Sequence, residues 1–465
     1  MDNIIVGFME LINNIVNSSF IQVLLGMISN LYYSTIGGFF RFVFGDGHFP
    51  PLLIVLPLVF VIVYKQYKRQ SNMERKLFGV SITNPHKETA VSAVYGLVGG
   101  IIGSLALIFI GVEFTSVGIV FVWPIAILLM LVNPRYMCFA YAGGIVGLLV
   151  VLVRFLAMIG LDIPDNSFFE AFLSMNLPGL MTVIGVLHLV ESALIFISGA
   201  KGITPIYFER KNQDGKSEVV GGFTIQRFWP VPLVVLLAMV VPGGEMVADS
   251  SSIDMPSWWP LMELTQTAPA GYTISLAMFS VIAALGYGEL AFSTPPKEKS
   301  KSTAISLGFY SIVLIVLAVL ANFVPLLTPL AVVFAPLGHE LLVLLAQRKE
   351  FSKEPLFPMS DENGIVVLGI LPGTVGEKLG LKPGHRIKRI NGQAVLSHIH
   401  YQQLIADNPT YLKMEVEDMQ GRMKYLKAPL FRRRRQLGII TMPSHPPKYM
   451  ASFRLNSPLD KIIGK

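Results

Sequence analysis

The feature that most constrains this chain is a series of long apolar segments that fills residues 49–348. About 20 consecutive apolar residues are enough for a helix to cross the hydrocarbon layer of a membrane. Hydrophobic residues make up 52% of the sequence and charged residues only 14%, whereas soluble proteins contain about 25% charged residues. The sequence therefore predicts a multispanning membrane domain over 49–348, followed by a soluble C-terminal region.

We expect about nine transmembrane helices, hence an α-helical polytopic domain. The predicted spans are Phe49–Tyr64, Val91–Val112, Thr115–Val132, Met137–Leu161, Leu177–Gly199, Pro230–Val247, Tyr272–Phe292, Thr303–Val324 and Pro325–Ala346. Residues 1–48 are apolar but interrupted by asparagine and serine. This pattern favours an amphipathic or re-entrant segment at the N-terminus, whose role the sequence does not define.

Lysine and arginine divide the predicted loops into two groups. Since basic residues are enriched in cytoplasmic loops, loops that contain them are placed in the cytoplasm, and loops that contain only carboxylates are placed outside. The basic loops are 65–90, 133–136, 200–229 and 293–302, and the acidic loops are 162–176 and 245–271. Nine spans then place the C-terminal region in the cytoplasm, which predicts a multi-pass protein of a cytoplasmic membrane.

Three ionisable residues, Arg154, His188 and Glu191, lie within predicted spans. His188 and Glu191 are three residues apart and share a helical face. Such residues are costly in lipid and often functional. The interpretation we favour is an interhelical ion pair between Arg154 and Glu191 that fixes packing. A transport site is the alternative, so a structural and a functional role both stay open.

Residues 364–395 have the pattern of a small α+β module. A strand at Ile365–Ile370 is followed by a short helix and a Pro383-Gly384 turn. A second strand, Arg386–Ile390, alternates polar and apolar residues and ends at the hairpin-type turn Asn391-Gly392.

This order of elements resembles a PDZ domain, which we assign to residues 355–450 with a tail at 451–465. The segment Leu381–Ile387, Leu-Lys-Pro-Gly-His-Arg-Ile, is similar to the "GLxxGDxI" motif of that family, with His385 where aspartate is more common. The resemblance implies a domain that binds peptides by strand addition beside a sheet edge.

The carboxylate-binding loop of the family is matched by Leu437-Gly438-Ile439-Ile440, which follows the core instead of preceding it. This order is similar to the circularly permuted PDZ domains of bacteria. A predicted helix at His398–Asp407, capped by Ser397, and a strand at Tyr411–Glu417 lie between. The predicted peptide-binding residues are Leu437, Gly438, Ile439, Ile440, His398, Gln402 and Ile405. The basic run Arg432–Arg435 either attracts an anionic group or guards a sheet edge.

An enzymatic function is not expected. Multispanning proteins with a PDZ domain include site-2 metalloproteases, whose His-Glu-x-x-His motif places two zinc ligands one helical turn apart. The His339-Glu340 pair is followed by Val343 at the position of the second histidine. The single cysteine, Cys138, excludes a disulfide within one chain. We therefore predict no catalytic residues, no cofactor and no metal.

Two further segments resemble the MinJ family of bacterial Min-system topology factors. They are Glu74–Val80, after a short span and a basic segment, and Phe334–Leu341, which leads into the PDZ domain. The similarity covers most of residues 40–440. It implies a non-enzymatic membrane scaffold at the division septum that links DivIVA to MinD in cell-division site selection.

Other functions and partners stay open. The alternative is a membrane receptor or transporter, or a PDZ-regulated partner of a membrane protease, in which the PDZ domain controls access. Expected partners are proteins bound in the PDZ groove, with DivIVA and MinD as candidates by resemblance, and the lipid bilayer. Self-association also stays open, whereas nucleic acid is not an expected partner.

Overall fold

The computed structural model describes residues 18–37, 52–211, 217–242, 253–264, 267–359, 364–407, 411–429, 437–447 and 451–452. Its first part is a set of apolar helices with a long β-hairpin packed among them. Its second part is a C-terminal α+β domain that contacts the same hairpin.

The apolar part contains nine α-helices within the described residues. Five are long and apolar enough to cross a membrane, namely Pro85–Ile110, Phe139–Met158, Leu177–Lys201, Pro296–Phe323 and Pro325–Phe351. The central one is Leu177–Lys201, because 72% of its most apolar stretch is buried inside the protein. The helices are α1 (Ser19–Ser34), α2 (Leu52–Phe78), α3 (Pro85–Ile110), α4 (Ile119–Val132), α5 (Phe139–Met158), α6 (Ser167–Leu173), α7 (Leu177–Ser198), α8 (Pro296–Phe323) and α9 (Thr328–Phe351).

The predicted spans Pro230–Val247 and Tyr272–Phe292 are wrong in secondary structure. The structure has strand β2 (Ser217–Pro242) paired antiparallel with β3 (Tyr272–Ala291), in unbroken register from Phe223 to Pro242. Two prolines near the start of the sixth predicted span disfavour a helix, and the valine, isoleucine, threonine and tyrosine of both segments favour strands. Hydropathy alone does not separate an apolar strand from an apolar helix.

The edge of β2 that faces away from β3 is paired first with β1 (Ile203–Lys211). Beyond β1, the N–H of Gln226 donates to Gly202 O at 3.0 Å, and the N–H of Phe228 donates to the Tyr67 hydroxyl at 3.2 Å. An open sheet edge is not tolerated in contact with lipid, since its backbone groups would lack hydrogen-bond partners. Beyond β1, the neighbouring helices therefore cover this edge of β2.

The next edge positions are Pro230 and Pro232, which have no N–H to satisfy. After them, the N–H of Val234 donates to Ser104 Oγ at 2.7 Å. A Cβ on Gly96 would lie 1.9 Å from Pro230 O, and a Cβ on Gly100 would lie 1.9 Å from Pro232 O. These two glycines of α3 thus allow carbonyl groups of β2 to meet the helix backbone directly, where weak Cα–H···O contacts are available.

Several other predicted boundaries shift. The first span belongs to α2, which continues through the basic segment to Phe78. The third is helical over Ile119–Val132, a length of about 21 Å at 1.5 Å per residue. Within the N-terminal segment 1–48, the structure describes 18–37, and the rest of that prediction lies outside the described residues. There, α1 packs on β3, and Asn30 Nδ2 donates to Met278 O at 2.8 Å.

The predicted Arg154–Glu191 ion pair is also wrong. The Arg154 guanidinium donates to the carbonyls of Leu173 and Met175, with Nη2 at 2.7 Å from both oxygens. In the described chain no ion pair joins Arg154 to Glu191. These carbonyls lie at the end of α6 and in the link from α6 to α7, so Arg154 fastens that link to α5. His188 lies instead beside Cys138, with Nε2 3.1 Å from Sγ.

The C-terminal domain has the predicted strands and helix, together with elements that the sequence did not indicate. Strands β5 (Ile365–Ile370), β6 (Arg386–Ile390) and β8 (Tyr411–Glu417) and helix α11 (His398–Asp407) match their predicted bounds. Asn391 and Gly392 both have positive φ, as the predicted turn requires. The short helix predicted after β5 is α10 (Val375–Lys378), and β10 (Ile439–Thr441) lies in the segment predicted as the carboxylate-binding loop and groove strand. The additional elements are β4 (Phe357–Pro358), β7 (Gln393–Ala394), β9 (Met423–Pro429) and β11 (Ala451–Ser452).

The strand order of this domain is β10-β5-β6-β8-β9, so the last of these strands in sequence, β10, forms one edge. Its sheet is attached to the hairpin through an apolar cluster that includes Tyr207, Phe223, Leu368 and Met442. Strand β4 also pairs with β2 at Val220 and Gly221. The α+β domain is therefore packed against the hairpin and does not hang from a free linker.

Candidate peptide-binding groove

A cavity of about 870 Å³ lies between helix α11 and the edge strand β10. Its outer edge is formed by β10, since β5 occupies the other side of that strand. All seven residues predicted to bind peptide line this cavity, namely Leu437, Gly438, Ile439, Ile440, His398, Gln402 and Ile405. The structure thus brings together every residue of the predicted site.

The backbone before β10 has its carbonyls turned into the domain. Leu437 O accepts from Gly376 N at 2.8 Å, and Gly438 O accepts from Leu371 N at 2.7 Å. Because a trans peptide unit points its N–H opposite to its carbonyl, the N–H groups of Gly438 and Ile439 point away from the domain body and toward the groove. Two successive amides on one side form an anion-binding concavity.

Gly438 makes this arrangement possible. Its φ is +68°, in the left-handed region, and a Cβ there would lie 2.3 Å from Thr374 Cγ2. In a regular strand successive amides alternate in direction, whereas a left-handed residue turns two of them the same way. This position therefore requires a residue without Cβ.

His398 connects the two walls of the groove. Its Nδ1 lies 3.0 Å from Thr441 Oγ1, and its Nε2 lies 3.1 Å from Gln402 Nε2. The Gln402 amide nitrogen can only donate, so Nε2 of a neutral His398 accepts and Nδ1–H donates to Thr441. Ile405 is 7% exposed and belongs to the apolar core of the domain as well as to the groove.

Burial also lowers the pKa of two histidines in this domain, His398 and His385. It lowers the pKa of His398, because a buried imidazolium loses hydration. The pKa of His385 is lowered mainly by burial and further by Lys424, while Asp418 acts in the opposite direction. His385 Nδ1 accepts from Lys382 N at 3.2 Å, which uses the neutral form in the turn where the family more often has aspartate.

Residues outside the α+β domain complete the groove, and the sequence did not identify them. Leu77 and Phe78 at the end of α2, and Val80 just after it, line one side. Tyr207 of β1 lies at the end of β10, and its hydroxyl donates to Thr441 O at 2.7 Å. In the sequence, the segment Glu74–Val80 indicates only a family resemblance, and nothing near Tyr207 predicts this contact.

The buried carboxylate of Glu74 holds the segment that forms this wall. Its oxygens accept from the N–H groups of Ile82 and Thr83, both at 2.7 Å, and from the hydroxyl of Thr204 at 2.8 Å. Glu74 is 0% exposed. A buried charge is tolerated when it is fully hydrogen-bonded, so Glu74 fastens the end of α2 and the following loop to β1. The basic run Arg432–Arg435 lies outside the described residues.

Comparisons with known proteins agree with this architecture. A PDZ domain family model matches residues 366–418. The cell division topological determinant MinJ of Bacillus subtilis is 24% identical over 378 residues, which cover 80% of this chain and 86% of the relative. A probable MinJ of Lacticaseibacillus paracasei is 26% identical over 83 residues, 18% of this chain and 23% of the relative. The chain therefore contains a PDZ domain and resembles the MinJ cell division topological determinants along most of its length.

Proposed function

We propose that this protein is a membrane-bound cell division topological determinant that recruits partner proteins through its PDZ groove. The observation that carries the proposal is the pair of amides at Gly438 and Ile439, aimed into a cavity beside the edge strand β10. Such a site suits an extended peptide with a carboxylate at its end. The likeness to MinJ supports cell division as the process in which this recruitment takes place.

The membrane domain acts as the anchor and the PDZ domain as the binding module. The charge difference between loops supports a cytoplasmic position for the groove. A reporter that is active only in the cytoplasm should work when fused after Lys353 and should be silent when fused after Leu161. Equal activity at the two positions would contradict this orientation.

By resemblance, the partners are DivIVA and MinD, which the protein would link. The groove is lined by residues of both the PDZ domain and the membrane domain, so a bound segment contacts both. A scaffold of this kind needs no catalytic group. The scaffold acts by holding the partner protein at a defined place on the membrane.

The test is co-purification of each candidate partner with the full-length protein in detergent. Ile399 lines the groove and is 69% exposed, so Ile399→Arg should block binding with little effect on folding. Leu396 is 56% exposed and lies outside the groove lining, which makes Leu396→Arg the matched control. Retention of DivIVA or MinD by wild type and by Leu396→Arg, with loss by Ile399→Arg, is the expected result. Equal retention by all three would overturn the groove as the binding site.

A further inference from the structure

Three potential metal ligands from three separate helices converge inside the membrane domain. Cys138 immediately precedes α5, His188 lies in α7, and His339 lies in α9. Cys138 Sγ is 3.1 Å from His188 Nε2 and 3.9 Å from His339 Nε2. All three ligand atoms lie within 4.8 Å of one another. In the sequence, His188 and His339 lie 50 and 201 positions after Cys138. The fold therefore brings the three residues together.

The orientation of His188 suits a metal ligand. Its Nδ1 lies 2.8 Å from Ile184 O. A carbonyl oxygen only accepts, so Nδ1 bears the hydrogen and Nε2 presents its lone pair to Cys138 and His339. Metal-binding histidines characteristically donate their second ring N–H to a carbonyl or carboxylate in this way, which fixes the tautomer.

Hydrogen bonding alone does not explain the cluster. His339 Nδ1 is buried and has no hydrogen-bond partner in the described part of the chain, although buried polar atoms are normally paired. Both imidazoles are also held by aromatic neighbours. The Tyr310 ring packs against His188 and His339 with centroids 5.7 and 5.9 Å away, and its hydroxyl is fixed on Ala335 O at 2.7 Å.

The distances fit a tetrahedral ion. Zinc lies about 2.3 Å from a thiolate and about 2.0–2.1 Å from an imidazole nitrogen, which places sulfur and nitrogen about 3.6 Å apart. The two observed sulfur–nitrogen distances lie on either side of this value. Each sulfur–nitrogen distance differs from it by about half an ångström or less, and all three ligand atoms lie within 4.8 Å of one another.

We propose that Cys138, His188 and His339 bind one Zn²⁺ ion. The sequence predicts no metal, because the second histidine of a His-Glu-x-x-His motif is absent. The fold supplies the second histidine from α7 and a thiolate from the start of α5. One thiolate and two imidazoles form a set that zinc favours, with a fourth position left for water or another ligand.

The surroundings favour a structural ion. Glu340, the neighbour of His339, is engaged by Arg135 at 2.7 Å and by the Tyr141 hydroxyl at 2.5 Å. The carboxylate is thus committed to partners on the loop before α5 and on α5 itself. The ion would join the start of α5 to both α7 and α9.

The experiment measures metal in the untagged full-length protein, purified in detergent and dialysed against zinc at low concentration. About one equivalent of zinc per chain is expected for wild type and for the control His86→Ala, whose exposed side chain contacts Tyr64. Cys138→Ser and His188→Gln should each lose at least nine-tenths of the bound zinc. Zinc content unchanged in both variants, or absent from wild type, would overturn the proposal.

A spectroscopic measurement on wild-type protein tests the site even if the variants fail to fold. Wild-type protein stripped of zinc and loaded with Co²⁺ should show the near-ultraviolet band of a thiolate–cobalt bond and the intense visible bands of a tetrahedral site. The visible bands without the thiolate band would exclude Cys138 as a ligand. The absence of both would overturn the site without reliance on any mutant.

Discussion

The hydroxyl of Tyr207 donates a hydrogen bond to the main-chain oxygen of Thr441 at 2.7 Å. Tyr207 belongs to β1 of the membrane-domain sheet, and Thr441 ends the edge strand β10 of the PDZ domain. A peptide that paired along β10 as far as Thr441 would need the same acceptor. The membrane domain therefore occupies one end of the edge that strand addition uses.

Tyr207→Phe should strengthen peptide binding, because it removes this competing donor and keeps the ring. The net value of a hydrogen bond is about 0.5–1.5 kcal/mol, which predicts about two- to tenfold tighter binding. Titration of the full-length protein with C-terminal peptides of DivIVA and MinD measures the change. Weaker binding by Tyr207→Phe would mean that the hydroxyl contacts the peptide itself.

Gly438→Ala should abolish binding of a terminal carboxylate. The new Cβ meets Thr374 at 2.3 Å and the backbone is left-handed, which costs about 1–2 kcal/mol before the clash. Gly421→Ala is the matched control, since φ is +77° there and nothing lies within 4 Å of the new Cβ. The prediction is checked by comparing free and amidated peptides on both variants. If Gly438→Ala binds the free carboxylate like Gly421→Ala, the amide pair is not the anion site.

Acidification should loosen the groove. Because the pKa of His398 is lowered in the folded protein, the unfolded chain binds more protons once the pH falls below the ordinary histidine value of about 6.5. The stabilising contribution is therefore complete above that pH and is lost as the pH falls toward the folded-state pKa. Protonated Nε2 also ceases to accept from Gln402. Hydrogen exchange of β10 and α11 amides, corrected for intrinsic rates, should show this loss between pH 7.5 and 5.

His398→Gln provides the control for this effect, because glutamine can hydrogen-bond but does not titrate. The variant should show a smaller pH dependence at β10 than wild type. His385 contributes in the same direction, so some dependence will persist around the Pro383-Gly384 turn. An identical profile in wild type and His398→Gln would remove His398 as the cause.

Gly96→Ala and Gly100→Ala should disrupt the contact between α3 and the hairpin. Each Cβ would lie 1.9 Å from a carbonyl oxygen of β2, so helix and strand must separate. Gly288→Ala in β3 is the control, since nothing lies within 4 Å of its Cβ. Thermal unfolding in detergent should show a clear loss of stability for the first two variants and little for the third. Equal melting temperatures would argue against this packing.

The predictable part of the structure is the part specified by local chemistry. The turn at Asn391-Gly392, the cap at Ser397 and the period-two pattern of Arg386–Ile390 each identify their element from a few neighbouring residues. The seven groove residues followed from the match to a known arrangement. These residues line one cavity because the strands and the helix that carry them form where the sequence predicts them.

The parts that the sequence did not predict depend on distant contacts. The apolar segments that form β2 and β3 resemble helices in hydropathy, and they are strands because α3 and the neighbouring helices cover the edge of β2. Tyr207 reaches the groove only through the attachment of the PDZ sheet to the hairpin. The acceptors of Arg154 are the main-chain carbonyls of Leu173 and Met175, which residue types do not reveal. An ion pair with a carboxylate was therefore the simpler prediction.

Strand β2 is one continuous element of 26 residues. Near its start, Val220 and Gly221 pair with the strand that leads into the PDZ domain, and farther along, Leu236 O accepts from Phe114 N at 2.7 Å beyond the far end of α3. At about 3.3 Å per residue, these points are about 50 Å apart. A single length of backbone therefore ties the attachment of the PDZ domain to the segment that follows α3, with no break in the strand between the two points.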